Sequence, residues 1–178
     1  MSPNPRPVDT VAMESQTAEA IDVGSVRIRD AQHGGREFII GLVPELLAFD
    51  SPPPWRDRQQ MTAIDVRVIS GALDGTSQGA KVLIAEDVHG QSMGFIHLCE
   101  GEDYYGGACG HVGDIVVAPA ARGRGVGRAL LAAAERRARE QGYRMLTLNV
   151  FLKNEKARAL YEDLGYEAET VRHVKNPA

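Results

Sequence analysis

"GDIVVAPAARGRGVGRALL", residues 113–131, runs from an apolar, strand-like stretch through a turn of three glycines and three arginines into an amphipathic helix. A chain that leaves a strand this way directs the free amide groups of the helix start, and the positive end of its dipole, at one point. That point suits an anion, most naturally a phosphate. Gly123, Gly125 and Gly127 let the backbone approach such a ligand, and Arg122, Arg124 and Arg128 add charge around it. The simpler reading is a plain helix start with solvated arginines. Two familiar phosphate turns do not fit. The dinucleotide pattern G-x-G-x-x-G puts Arg128 at its last glycine when started at Gly123, and Leu130 when started at Gly125. The P-loop requires a lysine in the turn, and none occurs between Lys81 and Lys153.

Around this stretch, 178 residues with 43% hydrophobic and 25% charged content describe one ordinary soluble domain. A formal charge of -4 argues against nucleic acid as the main partner. No apolar run approaches the roughly 20 residues of a membrane span, and residues 1–10, "MSPNPRPVDT", lack the basic start and hydrophobic core of a signal peptide. A cytoplasmic protein is expected, with no membrane partner. Cys99 and Cys109 make no secreted-type disulfide framework. Residues 1–24, with Pro3, Pro5 and Pro7, read as a mobile extension, and residues 25–178 as the single folded domain.

Periodicity places the elements. "VRIRD" (26–30) alternates as a half-buried strand, with Asp30 placed to cap a helix over 31–49 that carries Phe38, Leu42 and Leu46 on one stripe and interruptions at Gly34, Gly35, Gly41 and Pro44. A loop with an aromatic tip, "DSPPPW" (50–55), precedes a second helix over 57–73 with Met61, Ile64 and Val68 at helical spacing. Two strands around "EDVHGQ" (86–91), the loop "DYYGGACG" (103–110) and a strand in "HVGDIVVAP" (111–119) form an antiparallel meander. Residues 126–142 read as a helix with Val126, Leu130, Ala133, Ala134 and Ala138 facing inward. A strand over 143–151, a helix over 154–165 and a closing strand over 166–174 complete the chain.

"RGRGVG" (122–127) matches Arg/Gln-x-x-Gly-x-Gly/Ala, and here the chain resembles the GNAT family of N-acetyltransferases, whose signature turn holds the pyrophosphate of acetyl-CoA. The resemblance extends through "LNVFLKNEKARALYEDLGYE" (148–167) and covers about residues 110–166. It implies an α/β fold of the α+β type: a mixed, mostly antiparallel sheet of about six to seven strands flanked by about four helices. The sheet would splay between the strands around Val116 and Leu148. In that cleft the backbone of Ile115, Val116 and Val117 would pair with the pantetheine arm like an added strand. Arg122, Gly123, Arg124, Gly125, Val126, Gly127 and Arg128 would take the pyrophosphate, with Asn149, Asn154 and Ala157 lining the cofactor further on. Asn154 also reads simply as a helix cap.

The implied activity transfers the acetyl group of acetyl-CoA to a primary amine of a small molecule or peptide in a ternary complex. The other class of function is a non-catalytic acyl-CoA-binding regulator, which needs the turn but neither acid nor base. By the resemblance Tyr161 is the general acid, although its helical stripe with Leu160 and Leu164 also suits core packing. Many relatives carry a glutamate on the strand before the turn, where this chain has Gly113. Simple alternation puts His111, Gly113 and Ile115 on one face and Asp114 on the other, so His111 ranks slightly ahead of Asp114 as the base. His97, Cys99, Cys109 and His111 have the ligand types for structural zinc if Cys99 faces Cys109, but lack short C-x-x-C knuckles, and no metal is expected. The resemblance implies that loops beside the cleft set the acceptor, so Glu100, Glu102 and Asp103, with Trp55, would form a rim that favours a cationic acceptor; the simpler reading is a loop of solvated acids. A homodimer is one assembly open to the chain, and the sequence does not set the oligomeric state.

Overall fold

The computed structural model describes residues 21–23, 25–31, 33–48 and 53–175. Six strands lie in one sheet in chain order: β1 (Ile21–Val23), β2 (Val26–Asp30), β3 (Lys81–Glu86), β4 (Ser92–Glu102), β5 (Ala108–Val117) and β6 (Leu146–Leu148). The first five are antiparallel neighbours: short reversals join β1 to β2, β3 to β4 and β4 to β5, and the helical segments within 33–73 lie between β2 and β3. β6 runs parallel to β5 because α3 (Val126–Glu140) carries the chain back across the sheet between them. With α1 (Arg36–Leu42), α2 (Arg58–Leu73) and α4 (Glu155–Asp163), the mixed, mostly antiparallel sheet and its flanking helices are those the resemblance implied.

Alternation along the strands builds a core on each side of the sheet. Leu83, Ile96, Leu98 and Val112 meet Leu130, Leu131, Ala133 and Ala134 of α3, whose small inner-face residues let the helix lie close to the strands. Ile84, Phe95 and Val116 meet Ile39 and Leu42 of α1 and Ile69 of α2 on the other side. Each fully buried aliphatic side chain contributes about 1.5–3 kcal/mol over its exposed state.

Local details depart from the periodic reading. β1 pairs Ile21 with Ile28, so the sheet reaches into the stretch read as a mobile extension; residues 1–20 lie outside the described residues, as do residue 49 of the expected first helix and 50–52 of the expected loop. The expected helix over 31–49 is broken into a 3-10 turn (His33–Gly35), α1 and a second 3-10 turn (Val43–Leu47). Pro44 cannot donate to the preceding turn, and tightening the coil swings Ile39, Leu42, Val43 and Leu47 inward, leaving Phe38 and Leu46 only partly covered. Asp30 does not cap that helix; its carboxylate accepts from Lys81 Nζ at 3.2 Å. In α2, apolar residues ring the helix, and the sheet selects Ile69 while Ile64 and Val68 stay exposed. Residues 166–174 form no strand, since Ala168, Val171 and Val174 repeat every third residue rather than every second.

Candidate active site

β5 and β6 are paired only at Gly110↔Leu146, His111↔Thr147 and Val112↔Leu148. Beyond Val112, β5 keeps its β4 partner but has no strand on its other side among the described residues. The parting coincides with a β-bulge. His97 faces Asp114 and Leu98 faces Val112, so Gly113 is an extra residue on β5. Such a bulge bends its strand and increases the local twist, here turning β5 away from β6. Ile115, Val116 and Val117 therefore lie on an open edge of β5, and Asn149 and Val150 follow β6 across the gap.

The turn that follows this open edge has Gly123 at φ +75° and Gly125 at φ +79°, the left-handed region that side chains resist. Gly125 is the N-cap of α3, and no side chain caps the helix there. Its first-turn amide groups, including those of Val126, Gly127 and Arg128, are thus available to an anion. The three arginines are not equivalent. Arg122 donates from Nε to Val117 O at 3.3 Å and pairs with Glu45 at 2.7 Å, anchoring the turn to the second 3-10 segment. Arg128 pairs with Asp163 of α4. Arg124 makes no ion pair within the described residues. Of the three arginines expected to add charge around the bound group, two are held in ion pairs, and Arg124 acts at longer range on Asp87.

Asn154 caps α4, its Oδ1 accepting from Ala157 N–H at 3.3 Å, so the helix-cap reading is realised. Ala157 and Leu160 pack on the α3-side core, and Gly127 comes close enough that a Cβ there would lie 3.4 Å from Leu160 Cδ2. Tyr161 is buried in that core, and burial raises its pKa above the ordinary phenol value. Its ring sits 5.9 Å from that of Tyr166, whose buried hydroxyl, beside Glu135, has no well-formed hydrogen bond.

The bulge also reverses the facing order read from simple alternation. Cys99 pairs with His111 and His97 with Asp114, so His111 and Asp114 lie on the same face and Ile115 on the other, against the α3-side core. His97, 3% exposed, holds Asp114 Oδ2 at 3.1 Å from its Nδ1. His111 Nδ1 lies 2.8 Å from Thr147 Oγ1 of β6, and burial, then the neighbouring His97, lowers its pKa. Cys109 faces Gly101 rather than Cys99, so the register required for a four-ligand zinc site does not form. Among the described residues no group of three or more His, Cys, Asp or Glu is arranged to hold a metal.

The acidic loop lies at the other end of the β4–β5 hairpin from the turn. Asp103 is engaged within it, accepting from the amides of Tyr105 and Gly107 at 2.8 Å each, and Glu100 accepts from Tyr143 Oη at 3.1 Å. The carboxylates near the bulge are instead Asp114 and Asp65 of α2, a residue that helical spacing did not single out. Burial and then the charge of Asp114 raise the Asp65 pKa from 3.8 to about 6. The unfolded chain releases that proton near 3.8, so stability falls as pH rises through the window between these values. Asp65→Asn is expected to stabilise the fold at about pH 8 by about 1 kcal/mol, after allowing for solvent screening of this partly buried group, and so to raise Tm there while leaving it unchanged near pH 4. Thermal melts at the two pH values check this; equal shifts at both contradict it.

No helix among the described residues is long and apolar enough to cross a membrane. The sequence pattern of the acetyltransferase (GNAT) family matches residues 44–166. A Bacillus subtilis protein described as the uncharacterized N-acetyltransferase YhfO is 47% identical over 57 residues, which are 32% of this chain and only 38% of that relative. A putative acetyl transferase from Pyrococcus furiosus superposes with a TM-score of 0.67 at 26% identity, over 85% of this chain and 99% of its own. AAC(6')-Iy, solved in complex with a bisubstrate analog, CoA-S-monomethyl-acetylneamine, superposes with a TM-score of 0.63 at 23% identity, over 87% and 100%. With the family pattern spanning the bulged strand, the glycine turn and the helix that carries Tyr161, the chain belongs to the acetyltransferase (GNAT) family.

Proposed function

We propose that the chain is an acetyl-CoA-dependent N-acetyltransferase acting on a cationic primary amine. The observation that carries this reading is the open edge of β5 leading directly into the uncapped start of α3. An extended amide-bearing arm fits the first as an added strand, through the backbone of Ile115, Val116 and Val117. A pyrophosphate fits the second, held by the turn from Arg122 to Arg128, with Arg124 as the charge in no ion pair among the described residues. On this reading Asn149, Asn154 and Ala157 line the cofactor further on.

Attack of an amine on a thioester requires the ammonium to lose a proton, the oxyanion to be stabilised and the leaving sulfur to be protonated. Asp114 and His111 share the face on which the first of these needs a group. Asp114 stands beyond the last β5–β6 pair, in the gap itself, whereas His111 stands within the paired stretch with its Nδ1 at Thr147. This supports Asp114 as the acceptor of the ammonium proton, ahead of His111. The freed nitrogen forms the C–N bond as the carbonyl electrons move to oxygen. On collapse the C–S bond breaks and Tyr161 gives its hydroxyl proton to the sulfur. The second N–H proton of the former amine restores the phenol. A raised phenol pKa keeps that proton in place until the thiolate appears.

Asp65 and Asp114 give the acceptor side a negative character, which favours positively charged amines such as polyamines, aminoglycosides or peptide amino ends. A thiol-release screen of such amines with acetyl-CoA tests the class. Cationic acceptors are expected to react best, with kcat/KM falling as salt rises. A best acceptor that is neutral or anionic, with no salt dependence, contradicts the acceptor class.

A further inference from the structure

Given acetyl transfer with Asp114 as proton acceptor, as proposed above, we infer that His97 is the positioning residue that holds the Asp114 carboxylate, and that Gly113 supplies the room for it. Three observations meet at this point. His97 is delivered from β4 directly opposite Asp114, its Nδ1–H donating to Oδ2 at 3.1 Å. A Cβ on Gly113 would lie 2.6 Å from His97 Nδ1 and 3.0 Å from Cε1, distances that side chains do not tolerate. The imidazole thus fills the volume that any other residue at the bulge would claim. Finally, the side-chain exposures are 4% for His97 and 17% for Asp114, so Asp114 is the member able to meet an amine and His97 acts through it.

The surroundings are consistent with this division. The titratable groups around the pair are Cys99 on β4, His111 on β5 and Asp65 on α2, while β3 contributes the apolar Val82. Among the described residues Asp114 makes a single side-chain hydrogen bond, to His97, so one carboxylate oxygen is pinned and Oδ1 remains for the acceptor. A carboxylate held by a buried, sterically trapped donor is restricted to one rotamer, and proton transfer depends steeply on such placement. Among the described residues the hydrogen bond of the His97 side chain is the one to Asp114.

Steady-state kinetics on four variants of the full chain test the inference. His97→Leu, similar in bulk and apolar, is expected to lower kcat about 30-fold with KM for acetyl-CoA within about twofold. His97→Asn, whose amide places a donor near the position of Nδ1, is expected to restore kcat to within about fivefold of the parent. Gly113→Ala, which removes no functional group but displaces the imidazole, is expected to slow turnover as His97→Leu does. Should His97→Leu fold poorly by thermal melt, the contrast between His97→Asn and Gly113→Ala carries the test. A His97→Leu kcat within about twofold of the parent, or a His97→Asn variant as slow as His97→Leu, overturns the role of His97. Asp114→Asn separates the two levels. If it retains the parental kcat, the underlying assignment of Asp114 fails; if it is slow while His97→Leu is not, only the positioning role fails.

Discussion

Tyr161→Phe is expected to lower kcat by about 10²–10⁴-fold while leaving acetyl-CoA affinity within about twofold, the range that general acid catalysis supplies. The substitution removes one oxygen and keeps the ring that packs in the α3-side core. Stability is expected to change little, because no hydrogen bond to the Tyr161 hydroxyl is formed within the described residues. Tyr166 provides the contrast. Its hydroxyl is buried beside Glu135, so Tyr166→Phe is expected to stabilise the protein rather than slow it, by removing a poorly satisfied polar group. A Tyr161→Phe enzyme with kcat within about twofold of the parent makes Tyr161 a packing residue.

Gly125→Asp is expected to weaken acetyl-CoA binding by about 30-fold or more and to leave the chain folded. Nothing lies within 4 Å of a Cβ built on Gly125, so the cost in the free protein is that of φ +79°, a region in which Asp is less strained than most residues. In the complex the new carboxylate stands at the helix start where a pyrophosphate would sit, opposing the dipole that favours the anion. Gly125→Ala separates strain from charge: it adds the backbone cost but no charge, so its affinity is expected to lie much nearer the parent. Calorimetry reads both. Unchanged affinity in a folded Gly125→Asp protein removes the turn from the binding site.

The parts of this molecule that local physics decides were legible from the residues. The glycine turn, the alanine-faced α3, the Asn154 cap of α4 and the meander of β3, β4 and β5 all follow from period and turn chemistry. What was not legible depends on a single inserted residue or on a distant partner. Gly113 sits in an otherwise regular alternation, and one bulge moves Asp114 to the face of His111 and brings His97 opposite it. The pairs Arg122–Glu45 and Arg128–Asp163 join residues 77 and 35 positions apart, which no local pattern signals. Asp65 carries no motif; its significance comes from burial and from Asp114 across the interface between α2 and the sheet. His97 was visible only as a zinc ligand type, and the glycine at position 113 was the one trace of it in the sequence.

Acetyl transfer is tested most directly by incubating the purified chain with acetyl-CoA and the amine panel, then counting acetylated amine by mass spectrometry against thiol released. Catalytic turnover is expected, with one acetylated amine for each thiol and both rates lowered together, by about 10²–10⁴-fold, in Tyr161→Phe. Saturable acetyl-CoA binding by calorimetry, with no acetylated product from any amine, contradicts the enzyme and leaves an acyl-CoA-binding regulator in its place.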